Sequence, residues 1–187
     1  MRHRITQTFA LLAAIVMGTA AAAQEDEIYS FIPLGGRGLL EGLQAEELPA
    51  DFKSAIHSEE GDAEHWQQVL AKASAASPAI AALDSWQTDT LAHYLAVRAP
   101  LPRDAQPPRD GRDMALALCQ SCHIITVTVT QDRTREAWLG TMNSPSHIEI
   151  ETTPEERGLL ADYLLLNAGI PIDQIPPALR AGGASYL

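Results

Sequence analysis

Cys119 and Cys122 are the only cysteines in this chain of 187 residues, and His123 follows the second of them directly. Because no third cysteine exists, neither thiol can join a disulfide framework elsewhere, so both must serve one local centre. A helical pattern that Asp110 can cap runs through Met114 into the motif. Any fold for this chain must therefore bring a helix end, two thiols and an imidazole together.

Three kinds of centre use two cysteines at this spacing. A dithiol redox site usually lies at a helix start beside a βαβ pattern, which this sequence lacks. A structural zinc site needs four ligands, and there is no second cysteine pair. Covalent haem uses both thiols for thioethers and the adjacent imidazole as iron ligand. The motif favours one covalently attached haem c, with a disulfide or dithiol as the main alternative.

The amino terminus has the pattern of an export signal. A positive start is followed by an apolar run at residues 9–17 and by Ala21-Ala22-Ala23, a small-residue pattern that precedes cleavage. The run is too short to span a bilayer as a mature helix. The sequence therefore predicts that residues 1–23 are a signal peptide, that the mature chain is periplasmic, and that it does not insert into the membrane.

The negative net charge of the chain limits the kinds of partner that we expect it to bind. Cleavage of the predicted signal peptide removes Arg2 and Arg4 but no acidic residue. The formal net charge then changes from −11 to −13. Such a surface repels nucleic acid and anionic lipid headgroups. We expect redox partner proteins with a basic docking patch, and no nucleic acid.

Helical patterns dominate the sequence and predict an all-α fold. Capping residues and apolar periodicity predict helices at 62–76, 89–97, 110–119, from 134 onward, and from Thr153 to about 168. We expect an irregular leader with one short helix at 24–61 and an extended loop at 124–133. A proline-rich linker at 103–108 suggests two domains, a helical region without a haem motif at 24–104 and a haem domain at 105–187.

Two distant segments are alike. "LAHYLAVRAPLPRDAQPP" (91–108) and "LADYLLLNAGIPIDQIPP" (160–177) match at nine of eighteen positions without gaps, and Trp66 and Leu70 align with Trp138 and Met142 when three residues are gapped. The match indicates either a duplication or chance similarity between two Leu/Ala-rich helices that end in prolines. The first segment contains no cysteine, so it cannot hold haem by thioethers.

Residues 109–170 resemble a class I c-type cytochrome domain. The resemblance rests on "GRDMALALCQSCH", "REAWLGTM" and "EERGLLADYLLLNAG". It implies a first helix that enters the haem motif, a middle helix, and a last helix that crosses the first. It also implies thioethers at Cys119 and Cys122, with His123 as proximal iron ligand. It leaves residues 24–108 without an explanation.

The family commonly supplies a methionine after the middle helix as the sixth iron ligand. Met142 is the only methionine beyond the motif and is the predicted ligand. His147 is the alternative, and an iron with an open sixth position is a third. A closed site predicts an electron carrier with no catalytic residue, free or as the cytochrome subunit of a periplasmic dehydrogenase. An open or His147-controlled site predicts a haem enzyme or a gas sensor.

Overall fold

Helices account for all the regular structure in the computed structural model, which describes residues 28–180. This confirms the predicted all-α class. The predicted signal peptide lies outside the described residues. None of the helices in the described part of the chain has the length and apolar character needed to cross a membrane.

Nine α-helices lie within the described residues, and the sixth continues as a π-helical turn, Ala115–Cys119. They are α1 Gly36–Gln44, α2 Ala50–Ser58, α3 Ala63–Ser74, α4 Pro78–Ala81, α5 Ser85–Arg98, α6 Gly111–Met114, α7 Thr126–Val129, α8 Arg135–Met142 and α9 Pro154–Asn167. Two short 3₁₀ turns follow, Ile172–Gln174 and Pro177–Leu179. The helices predicted from caps and periodicity are present with small shifts of their ends.

Two expectations from the sequence were wrong. The predicted irregular leader contains two nine-residue helices, α1 and α2, each of which buries one apolar face in the core. The predicted extended loop at 124–133 contains the helical turn α7, where Ile125 and Val129 are buried. In both places the burial of apolar side chains outweighs a local preference against helix. That preference comes from glycine in the first segment and from β-branched residues in the second.

Helices α5 and α9 contact each other at the centre of the fold. Helices α1 and α3 pack on α5, and helices α6 and α8 pack on α9 in the same way. The segments 33–99 and 108–170, which we call the first half and the second half, therefore repeat one arrangement. The predicted boundary between residues 104 and 105 falls inside one compact unit that begins at Pro33.

A glycine allows the close helix crossing in each half. A Cβ atom on Gly36 would lie 2.1 Å from Cβ of Tyr94, and one on Gly111 would lie 2.1 Å from Cβ of Tyr163. All four residues are buried. The first helix of each half therefore touches the last helix along its backbone, which only glycine permits.

The two tyrosines link the halves through reciprocal hydrogen bonds. The Tyr94 hydroxyl donates to the Pro108 carbonyl at 2.8 Å, and the Tyr163 hydroxyl donates to the Pro33 carbonyl at 2.7 Å. Burial raises the pKa of both tyrosines, so both hydroxyls keep the proton that they donate. Each half thus supplies an acceptor to the other, which supports duplication over chance similarity.

Asp110 joins the first helices of the two halves. Its carboxylate accepts from the amide of Asp113 at 2.9 Å, capping α6, and from the amide of Arg37 at 2.8 Å, in the first turn of α1. The Arg37 guanidinium also donates to Asp113 at 2.7 Å. Burial raises the pKa of Asp110 despite these hydrogen bonds. The start of α6, and hence the approach to the cysteine motif, is fixed by contacts with the first half.

We expect Gly111→Ala to destabilise the protein by about 1–3 kcal/mol, because the added methyl group overpacks the crossing with Tyr163. Gly42→Ala is the matched control, since Gly42 is also helical and a Cβ atom added to it would have no other atom within 4 Å. That change should stabilise the fold by about 0.5–1 kcal/mol. Urea unfolding of both variants measures the difference, and equal effects would contradict the close crossing.

Glu156 should make stability depend on pH. A hydrogen bond from Arg109 at 2.8 Å, supported by Arg98, lowers the pKa of Glu156 from 4.5 to about 2. Because the folded pKa is the lower one, ionised Glu156 stabilises the fold above pH 4.5, and this gain is lost as pH falls through about 2. The advantage of wild type over Glu156→Gln in urea unfolding should therefore shrink across this range. Glu155→Gln, which removes an exposed carboxylate one position away and leaves the contact between Arg109 and Glu156 in place, is the matched control.

Candidate functional site

The cysteine motif begins where α6 ends. Beyond Met114 the helix widens into the π-helical turn that ends at Cys119. The chain then turns back, with the amide of His123 donating to the Cys119 carbonyl at 3.1 Å. Wide turns of this type occur often at functional sites. The turn brings both thiols and the imidazole to one side of the chain.

That side opens into a cavity of about 480 Å³, within the range of roughly 300–1,000 Å³ that is usual for ligand and cofactor sites. The motif residues Cys119, Cys122 and His123 lie on its wall, as do the two candidate sixth ligands, Met142 and His147. Apolar walls come from α8 and α9 through Trp138, Leu160 and Leu164. The structure therefore brings together every site residue that the sequence predicted.

The Cys119 thiol lacks the lowered pKa of a reactive dithiol. Both cysteines are free, Cys119 half-buried and Cys122 exposed. Burial raises the pKa of the Cys119 thiol, and a hydrogen bond with Thr128 offsets this only in part. Redox-active cysteines of C-x-x-C motifs have lowered pKa values instead.

An arginine and a tryptophan add polar groups to the cavity wall. The Trp138 indole Nε1–H is buried and has no hydrogen-bond acceptor among residues 28–180. The Arg133 guanidinium lies 5.1 Å above the Trp138 ring and donates to the Thr141 hydroxyl at 2.7 Å. An unpaired buried donor beside a cation suits an acidic group on a ligand. Haem, an apolar ring with two carboxylates, fits this combination.

The loop between α8 and α9 forms the side of the cavity that faces the motif. Arg157 of α9 holds this loop with five hydrogen bonds of 2.8–3.4 Å. The acceptors are the carbonyls of Met142, Ile148 and Ile150, the Asn143 side chain and the Thr152 hydroxyl. Five bonds use the full donor capacity of a guanidinium. Sequence reasoning missed this role, because all the acceptors lie on a loop without periodicity.

The corresponding region of the first half differs in its side chains. Residues 33–48 align with residues 108–123 at a constant offset, so Leu48 corresponds to His123 and Gln44 to Cys119. Leu48, Phe52 and Ile56 are each 5% exposed or less. A cavity of about 420 Å³ is present here too, but polar and charged side chains such as Glu46, Lys53 and Arg103 help to line it. It lacks the thiols and the apolar walls of the cavity in the second half.

Comparisons with protein-family models, with curated proteins and with solved structures found no match. Within residues 28–180, no group of three or more His, Cys, Asp or Glu side chains is placed to hold a metal ion. The chemistry of this site is therefore argued from the motif and the cavity.

Arg157→Lys should loosen the loop, because one ammonium group cannot replace five directed hydrogen bonds. Hydrogen bonds to a charged group contribute about 1–3 kcal/mol to stability. We therefore expect amide hydrogen exchange in residues 143–152 to accelerate about ten- to a hundred-fold. Arg103→Lys in the exposed linker is the control and should leave these rates unchanged. Unaltered exchange in Arg157→Lys would show that other contacts hold the loop.

Proposed function

We propose that this chain is a periplasmic monohaem c-type cytochrome that carries single electrons, either free or as the cytochrome subunit of a periplasmic dehydrogenase. The observation that carries the proposal is the cavity in the second half. The two thiols and the imidazole of the motif lie on one of its walls, and apolar side chains of α8 and α9 lie on another. Class I cytochromes, which residues 109–170 resemble, use these groups for one haem c.

Each residue of the motif has a role in this proposal. Cys119 and Cys122 form the thioether bonds, and His123 is the proximal iron ligand. Trp138 and Arg133 receive a propionate, since one offers an unpaired buried donor and the other a positive charge. Leu160 and Leu164 exclude water from the ring face.

Bound haem supplies reversible one-electron chemistry between ferric and ferrous iron. The chain's contribution is to keep the group in an apolar cavity and to offer a second axial side chain, Met142 or His147. A site with both axial positions filled has no room for a substrate. The residues around the cavity thus favour electron transfer over catalysis.

The partner is proposed to be a redox protein. Three apolar side chains lie in or next to the cavity-forming segments and are well exposed: Ile124 at 39%, Val127 at 40% and Ile148 at 61%. The chain's acidic net charge of −11 favours a partner with a basic surface. An apolar contact surrounded by complementary charge is typical of short-lived complexes.

The alternative function is that of a haem enzyme or gas sensor. His147 supports this alternative, because a half-buried imidazole on the cavity wall is also a suitable acid–base group. Carbon monoxide and cyanide distinguish the two functions. An electron carrier with both axial positions filled resists these ligands, whereas an open site binds them.

The first test is haem attachment in a periplasm that has the attachment machinery. We expect wild-type protein to keep its haem after acid–organic extraction and the Cys119→Ala/Cys122→Ala variant to lose it. Ser121→Ala is the matched control within the motif, because the Ser121 hydroxyl donates to the Leu118 carbonyl and supplies no thiol for a thioether bond. A folded wild-type chain that carries no covalent haem would overturn the proposal.

A further inference from the structure

The identity of the second axial side chain decides what kind of carrier this protein would be. Met142 and His147 both line the cavity, and both are half-buried. Methionine raises the reduction potential relative to a second histidine. The family resemblance favours Met142, but the geometry of the two side chains points the other way.

The His147 ring faces the proximal ligand at a separation that suits a shared metal. The ring centres of His123 and His147 are 6.4 Å apart, and the rings are tilted by 38°. Two imidazoles on opposite sides of one metal, each with a metal–nitrogen bond of about 2 Å, have ring centres roughly 6 Å apart. The two side chains stand at this separation in the protein itself.

The hydrogen bonds of His147 leave the appropriate nitrogen for coordination. Its Nδ1 lies 3.0 Å from the Ser144 hydroxyl oxygen and 3.1 Å from that of Ser146. With Nδ1–H donating to a serine oxygen, the lone pair resides on Nε2, the nitrogen that can bind iron. Metal-binding histidines almost always have such a partner on the other ring nitrogen, because it fixes the tautomer and the ring orientation.

The backbone of His147 is also held in place. Its amide donates to the Ser144 carbonyl at 2.9 Å, and its carbonyl accepts from the Ile150 amide at 3.1 Å. Arg157 binds the carbonyls of Ile148 and Ile150 on the same loop. The ring and the backbone of His147 are therefore both constrained. Met142 ends α8 and its backbone carbonyl accepts from Arg157, but its unbranched side chain has three rotatable bonds and a thioether that packing alone orients.

We propose that His147, and not Met142, is the sixth iron ligand, which makes the site bis-histidine. This inference rests on the proposed function, since it requires attached haem. It places the protein among carriers of lower reduction potential than a histidine–methionine site would give. The donor that gives up one electron to the ferric site must then be a stronger reductant than a histidine–methionine carrier requires.

The test compares the haem-loaded wild type with His147→Ala and Met142→Ala, two truncations on the same cavity wall. We expect the ferric wild type to be low-spin without the long-wavelength band of sulfur–iron ligation, and Met142→Ala to have the same spectrum. His147→Ala should become high-spin and bind carbon monoxide, and added imidazole should restore the low-spin spectrum. Imidazole rescue requires an intact fold, so it separates loss of a ligand from unfolding.

Two results would overturn this inference. The first leaves the proposed function in place, and the second favours the alternative function. A sulfur–iron band in wild type that Met142→Ala abolishes and His147→Ala retains would identify Met142 as the ligand and leave the electron carrier intact. A high-spin wild type that binds carbon monoxide would show an open site and favour the enzyme or sensor. Absence of covalent haem is a failure of the proposed function itself, and extraction detects it before any spectrum is compared.

Discussion

The two glycine–tyrosine crossings, one in each half, fix the first helix of that half against its last helix. At each crossing the first helix of a half meets the last helix at a distance that no side chain on the glycine would allow. Each tyrosine then donates its hydroxyl to a carbonyl of the other half. Each half supplies the donor of one of these hydrogen bonds and the acceptor of the other, so each tyrosine needs the opposite half to pair its hydroxyl. The compact unit is thus a pair of interdependent helical arrangements.

The position of the candidate site follows from the second crossing. Gly111 fixes the start of α6 against α9, and Asp110 ties that start to the first turn of α1. The π-helical turn then delivers Cys119 to the cavity, while α9 supplies Leu160, Leu164 and Arg157 from the other side. A change in the crossing would therefore move both walls of the cavity. The first half acts on the site through this crossing, without contributing a residue to the cavity wall.

The two halves differ in the side chains that line corresponding regions. The first half buries Leu48, Phe52 and Ile56 beside a cavity with partly charged walls, and the second half has the cysteine motif and a cavity with apolar walls at the corresponding place. A cavity of about 480 Å³ in a small helical unit forfeits packing that a bound apolar group would restore. The carrier function and the stability of the second half would then have the same source.

Local information along the chain was enough to predict the helical class, the capped helices and the residues of the motif. These depend on periodicity, on caps such as Thr153 and on the spacing of two cysteines. Contacts between distant residues were needed to establish that residues 36–58 are largely helical, that Arg157 holds the loop and that His147 faces His123. In each case burial or hydrogen bonding outweighs local preference. Glycine at position 36 shows the difference most simply, since it weakens a helix locally and is required once Tyr94 packs against it.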